Sequence, residues 1–207
     1  MNTQNFMNIV LLGAPGSGKG TQAELLKEKF QLEHASTGDL YRKEMAANSP
    51  LGVKAKSIIE RGDLCPDDLT LDMLHQFISE HPNAKGFLLD GVPRTIEQAE
   101  MMDGKGYPFI IPVSVAVYLE VVEDNVVERL IKRAMLLNRV DDTPEVIRQR
   151  FTNYEKQTKP LIEHYHAQNK LITVNGMQSI EEVFADIISN PTLQVLAQPR
   201  TQQPLQQ

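Results

Sequence analysis

Apolar residues in this chain fall into short continuous runs, separated by longer stretches in which they recur every three or four positions. Runs at Asn8 to Leu12, Gly86 to Asp90, Val113 to Leu119 and Leu171 to Val174 read as buried strands. The spacing between them predicts helices at about Lys19 to Phe30, Gly38 to Ala47, Val53 to Arg61, Asp67 to Glu80, Thr95 to Met102, Glu123 to Met135, Pro144 to Gln168 and Ser179 to Ile188. Strands alternating with helices imply an α/β fold with a mostly parallel sheet covered on both faces. About fifty residues separate the first strand and helix from the strand at Phe87, more than a simple crossover needs, so that stretch reads as an inserted helical subdomain. From Pro191 the chain turns Gln- and Pro-rich with few large apolar residues, and 191–207 reads as a tail that does not offset its own ordering entropy.

The sharpest local pattern lies where the first strand meets the first helix, in MNIVLLGAPGSGKGT from Met7 to Thr21. Gly13, Gly16 and Gly18 permit backbone angles closed to other residues, so successive N–H groups can converge on an anion at a helix N-terminus. Lys19 adds a full positive charge. This is a phosphate-binding loop, and its strand-to-helix context separates it from a merely glycine-rich turn. The loop departs from the common pattern in having Gly20, then Thr21, after the lysine, where a hydroxyl that holds magnesium usually stands. Magnesium must be held in another way.

Composition narrows the partners. The chain has 207 residues, enough for one sizeable core with small insertions. Its net charge of −6 argues against a nucleic-acid surface. It holds no apolar run of membrane-spanning length, and Met1 to Phe6 lacks the regions of a signal peptide, so a cytoplasmic protein without a membrane partner is expected. Cys65 is the single cysteine, which excludes an internal disulfide and a cysteine-cluster zinc site, and the five histidines are too dispersed to suggest a metal centre.

Further segments, in order, resemble the adenylate kinase family with a short lid: GAPGSGKGT at 13–21, STGDLYR at 36–42, FLLDGVPRT at 87–95, RLIKR at 129–133, and RVDD with RQR at 139–142 and 148–150. The resemblance covers about Met7 to Asn190. It implies a single P-loop kinase domain over 1–190, with an AMP-binding insertion at 36–65 and a lid at 132–142. The implied reaction is reversible phosphoryl transfer from Mg·ATP to AMP, giving two ADP and serving adenine nucleotide homeostasis in a monomer.

Roles follow from the same resemblance. Gly16, Ser17, Gly18, Lys19, Gly20 and Thr21 would hold ATP phosphates, with Arg129 and Arg133 beside them; Asn175, Gly176 and Gln178 would lie against the ATP base. Thr37, Arg42, the backbone of Asp63, Leu64 and Cys65, then Gly91, Val92, Pro93, Arg94 and Gln98 would hold AMP. Arg139 and Arg150 would reach the transferring phosphate and AMP. Asp90, delivered by a buried strand to its carboxyl end beside the phosphate loop, would orient waters around Mg²⁺ and so answer the missing hydroxyl after Lys19. Lys19, Arg94, Arg129, Arg139 and Arg150 form the expected catalytic set, since an acceptor phosphate is already ionised and needs no general base.

Two departures from the family stand out. Ala134 to Asn138 replace the small polar residues of compact lids with apolar ones, and Val92 stands where an aromatic residue is usual, predicting weaker or broader acceptor binding. A UMP/CMP kinase is the nearest alternative, which Thr37, Thr95 and Gln98 speak against; a nucleotide-binding switch without phosphotransfer is the other.

Overall fold

A computed structural model describes residues 7–122, 126, 130 and 143–197. Five strands form one sheet: β1 (Ile9–Leu12), β2 (Glu33–Ser36), β3 (Phe87–Asp90), β4 (Val115–Glu120) and β5 (Leu171–Asn175). Their order across the sheet is β2-β3-β1-β4-β5, and every neighbouring pair runs parallel. The helices are α1 (Lys19–Phe30), α2 (Thr37–Ala46), α3 (Pro50–Ile59), α4 (Asp67–Glu80), α5 (Ile96–Met102), α6 (Pro144–Asn153), α7 (Pro160–Ala167), α8 (Ile180–Ser189) and α9 (Pro191–Ala197).

The central strand explains the layering. All four residues of β1 are buried, and their side chains alternate between two cores. Val10 and Leu12 pack with Leu74, Met102 and Leu161 on one face, while Ile9 and Leu11 pack with Leu26 and Ile187 on the other. A strand buried on both faces cannot alternate apolar with polar residues, which is why these strands read as continuous apolar runs. Register then sets the site: Leu11 pairs with Asp90, and Ser36 pairs with Asp90 from the other side. The carboxyl ends of β1, β2 and β3 thus finish side by side.

Three sequence expectations change here. β2 was not expected, because Glu33-His34-Ala35-Ser36 is an edge strand in which Ala35 alone is fully buried and no apolar run marks it. The helix expected from Pro144 to Gln168 is divided by a π-helical turn at Tyr154–Thr158. Pro160 lacks an N–H and its ring crowds the carbonyl four residues back, so the turn widens and Lys159 N–H bonds Tyr154 O at 2.8 Å. Finally, Pro191–Ala197 is helix rather than unstructured tail, with Leu193 wholly buried in the core beneath α8. Leu193, with Leu196 packed partly buried beside it, anchors these two turns to the core.

Helices α2 and α3 form a satellite layer with a small core of Tyr41, Ala55, Cys65 and Met73. They approach so closely that a Cβ on Gly52 would collide with the backbone of Glu44 and Met45. The helix expected over Glu123 to Met135 lies mostly outside the described residues; within it, Val126 and Leu130 are helical and fully buried against Ile147 and Phe151.

Candidate active site

The phosphate loop bridges β1 and α1. Gly18 precedes the first residue of α1 with φ of 97°, a left-handed conformation that sterics reserve largely for glycine, and it has open space where a Cβ would project. The demand at Gly18 is therefore conformational rather than one of room. The first turn of α1 carries no acidic side chain, so its N–H groups and dipole favour an anion without local opposition. The Lys19 ammonium curls back over the loop, donating to Gly13 O at 2.8 Å and Ala14 O at 2.9 Å. These bonds hold the charge at the rim of the loop.

A cavity of about 690 Å³ opens from this loop across the carboxyl ends of the strands. Gly16 through Thr21 line one end, with Gly176 and Gln178 beyond them. Thr37 and Arg42 of α2, the Asp63 to Cys65 segment, and Gly91, Pro93, Arg94 and Gln98 line the other. Arg150 and Asp90 also face the cavity. These expected residues are thus brought together. Val92 is not on the cavity wall: its side chain is 1% exposed and packs in the core with Leu89 and Met102. Its expected place among the residues that hold AMP therefore finds no support on the cavity wall, because the turn after β3 points its side chain inward. Asn175 likewise is absent from the lining. Arg129, Arg133 and Arg139, the aspartates at 141 and 142, and the apolar lid segment 134–138 lie outside the described residues.

Local geometry fixes the cations. Arg94 Nε donates to Gly91 O at 3.0 Å, and Thr37 Oγ1 donates to the same carbonyl at 3.0 Å. Gly91 has φ of 84°, and a Cβ there would stand 2.5 Å from Thr37 Oγ1 and 2.9 Å from Arg94 Nη2. The glycine therefore lets the threonine and arginine meet over the backbone. Burial pulls the Arg94 guanidinium below its ordinary value, opposed first by the Asp90 carboxylate, yet an arginine stays charged throughout the accessible range. Arg42 Nη2 lies 2.6 Å from Asp39 Oδ1, one helical turn earlier.

Asp90 lies between charges. Its burial would raise its pKa, but the His34 ring, then the Lys19 charge and the Arg94 charge, hold the carboxyl below its usual value. His34 was not foreseen. It is on the unexpected strand β2, with Nδ1 3.1 Å from Glu24 Oε1 and Nε2 3.8 Å from Asp90 Oδ2. Burial alone would lower its pKa; Asp90 and then Glu24 outweigh this and raise it. A second set of unforeseen residues comes from α6 and the π turn. Gln149 donates to Asp63 Oδ1, Asn153 donates to Gly62 O at 2.9 Å, and Thr158 donates to Arg94 O at 2.9 Å. Gln149 falls inside the RQR sequence at 148–150 without a role assigned to it, and no motif marks Asn153 or Thr158, because all three act by reaching across the fold to groups distant in the chain.

Near the phosphate loop, Gln178 Oε1 is buried with no hydrogen-bond partner among the described residues. A buried acceptor without a partner is costly, so a donor from a ligand in this cavity would relieve it.

A phosphate loop at the switch between β1 and α1, facing a second arginine-bearing pocket across one cavity, defines an α/β P-loop kinase fold. Comparison with known proteins agrees. The family model described as Adenylate kinase matches residues 11–170. A protein named adenylate kinase from Stenotrophomonas maltophilia (strain K279a) is 44% identical over 183 residues, covering 88% of this chain and 98% of its own. Another of that name, from Xanthomonas campestris pv. campestris (strain B100), is 46% identical over 181 residues, covering 87% and 97%. The chain belongs to the adenylate kinase family.

Proposed function

We propose that this cavity carries out reversible phosphoryl transfer from ATP to AMP, giving two ADP, as the family's reaction requires. The observation that carries the reading is the single cavity joining the Lys19 loop to the pocket of Thr37, Arg42, Arg94 and Gln98, which can hold two phosphorylated nucleotides end to end. Two anions pressed together repel. Lys19, Arg42, Arg94 and Arg150 line the space between and offset that repulsion, while the loop N–H groups hold the donor phosphates in line with the acceptor. The acceptor oxygen is ionised near neutral pH, so no residue need act as a base. Gln98 reads the AMP base, Thr37 lies beside it, and the Gln178 carbonyl, unpartnered among the described residues, accepts from the ATP base. Arg129, Arg133 and Arg139 complete the cationic set from outside the described residues.

Mg²⁺, bound with ATP, supplies charge neutralisation between phosphates. The residues fit it: Asp90 is kept ionised beside the loop, a hard oxygen donor suits this cation, and Gly20 leaves the neighbouring position without a hydroxyl. Asp90 would hold it through water. Residues 36–65 are read as the segment that closes over AMP, and 132–142 as the segment over ATP, excluding water as a rival acceptor. Among the described residues no helix is long and apolar enough to cross a membrane. We read the protein as a cytoplasmic monomer, since one chain contributes both ends of the cavity.

The test is ADP formation from Mg·ATP with AMP, CMP, UMP and GMP in turn. Activity should be confined to AMP, and Lys19→Ala and Arg94→Ala should each lower it by about 10²–10³-fold. Comparable rates with CMP or UMP would instead make this a UMP/CMP kinase, and nucleotide binding without turnover would make it a switch.

A further inference from the structure

Gln98 is 2% exposed, and its side-chain amide is held at both ends. Nε2 donates to Asp67 Oδ1 at 2.7 Å, and Oε1 accepts the backbone N–H of Arg94 at 2.7 Å. Asp67 is itself braced, since its Oδ2 accepts from Thr95 Oγ1 at 3.2 Å, and Thr95 Oγ1 accepts the Gln98 N–H at 3.0 Å. The chemistry of these partners leaves no ambiguity in the amide. An ionised carboxylate only accepts and a backbone N–H only donates. Turning the amide over would set Oε1 against a carboxylate and NH₂ against an N–H.

An amide of this kind has two N–H donors and two acceptor lone pairs. One of each is consumed within the protein, which leaves one N–H and one lone pair on the amide of a residue that lines the cavity. That pair matches a base edge with an amino donor beside a ring-nitrogen acceptor, as in adenine. It opposes an edge with a carbonyl beside a ring N–H, as in hypoxanthine or guanine, which would need the amide turned over. We propose that Asp67, which is not among the residues lining the cavity, is a specificity-determining positioning residue: by holding the Gln98 amide in one orientation it makes the acceptor site select 6-aminopurine over 6-oxopurine monophosphates. The proposal rests on the reading that Gln98 meets the acceptor base.

Asp67 also lies in the first turn of α4, where an acid stabilises a helix without touching specificity. The two roles separate in one experiment. Asp67→Asn keeps the shape but presents an amide able to pair with either orientation of Gln98. Steady-state kinetics with AMP and with IMP, at saturating Mg·ATP, should show the ratio of kcat/KM values falling by about tenfold. The KM for ATP should not move. Gln98→Ala should collapse the same ratio, and adding Asp67→Asn to it should change the ratio no further, because the lock then has nothing to hold. A thermally destabilised Asp67→Asn variant with an unchanged AMP-to-IMP ratio would overturn the proposal while leaving the site reading intact. An unchanged ratio in Gln98→Ala would overturn both.

Discussion

Asp90 and His34 show how much a single side chain's surroundings decide. The carboxylate was legible from the sequence as the last residue of a buried strand, whereas the histidine that faces it was not, because its strand has no apolar run to announce it. His34 has a raised pKa in the folded chain, so it binds its proton more tightly there than in the unfolded chain, whose value is near 6.5. Its contribution to stability is therefore fully present below that value and is lost as pH rises through the folded one. Urea unfolding of the wild type and His34→Gln at about pH 6 and about pH 8 checks this. The stability advantage of the wild type should be larger at the lower pH; an equal advantage at both would show that His34 packs but does not titrate with folding. The same scale accounts for Val92. Its place in the DGVPR sequence suggested contact with a substrate, but the direction a turn gives a side chain depends on backbone angles no motif spells out.

Among elements, those that a short stretch of chain marks by itself appear where the sequence put them. The β1 strand, the α1 and α4 helices and the β3 strand match expectation to within a residue. Two of the misses depend on something supplied by another part of the chain, and the third on a proline inside an otherwise continuous helix. β2 is a strand because β3 offers it hydrogen bonds, the π turn follows from Pro160 meeting a continuous helix, and α9 is ordered because α8 and the sheet leave a pocket for Leu193. The α9 case is open to direct test. A chain that needed no order after Asn190 would tolerate Leu193→Ala freely. With Leu193 wholly buried, the substitution should cost about 2–5 kcal/mol in chemical denaturation, the usual loss for a buried leucine. A cost below about 0.5 kcal/mol, typical of exposed sites, would return this segment to the status of a tail.

Across the whole molecule, the parallel sheet brings the carboxyl ends of three strands far apart in sequence side by side, and the cavity lies over them. Because both anion-binding ends open into that one space, a compound joining two adenosines through a polyphosphate should bind better than either nucleotide alone. At a concentration about a thousand times its dissociation constant it would add about 4 kcal/mol to the stability of the folded chain. Thermal unfolding with ATP, with AMP and with the joined compound at equal concentration checks the geometry. The joined compound should raise Tm most, and Arg94→Ala should remove much of that excess. No excess over ATP alone would mean that the two ends do not act together.

What the sequence by itself determined is whatever a short stretch of chain decides alone. The phosphate loop is legible because glycine spacing, a lysine and the switch from strand to helix occur within fifteen residues, and the α/β class is legible because apolar periodicity is local. Tertiary structure alone decided the partnerships between distant residues: His34 with Asp90, Asn153 with Gly62, Thr158 with Arg94, and Asp67 with Gln98. The physical reason is that a hydrogen bond or ion pair acts over a few ångströms, and sequence distance carries no information about which groups folding will bring within that reach.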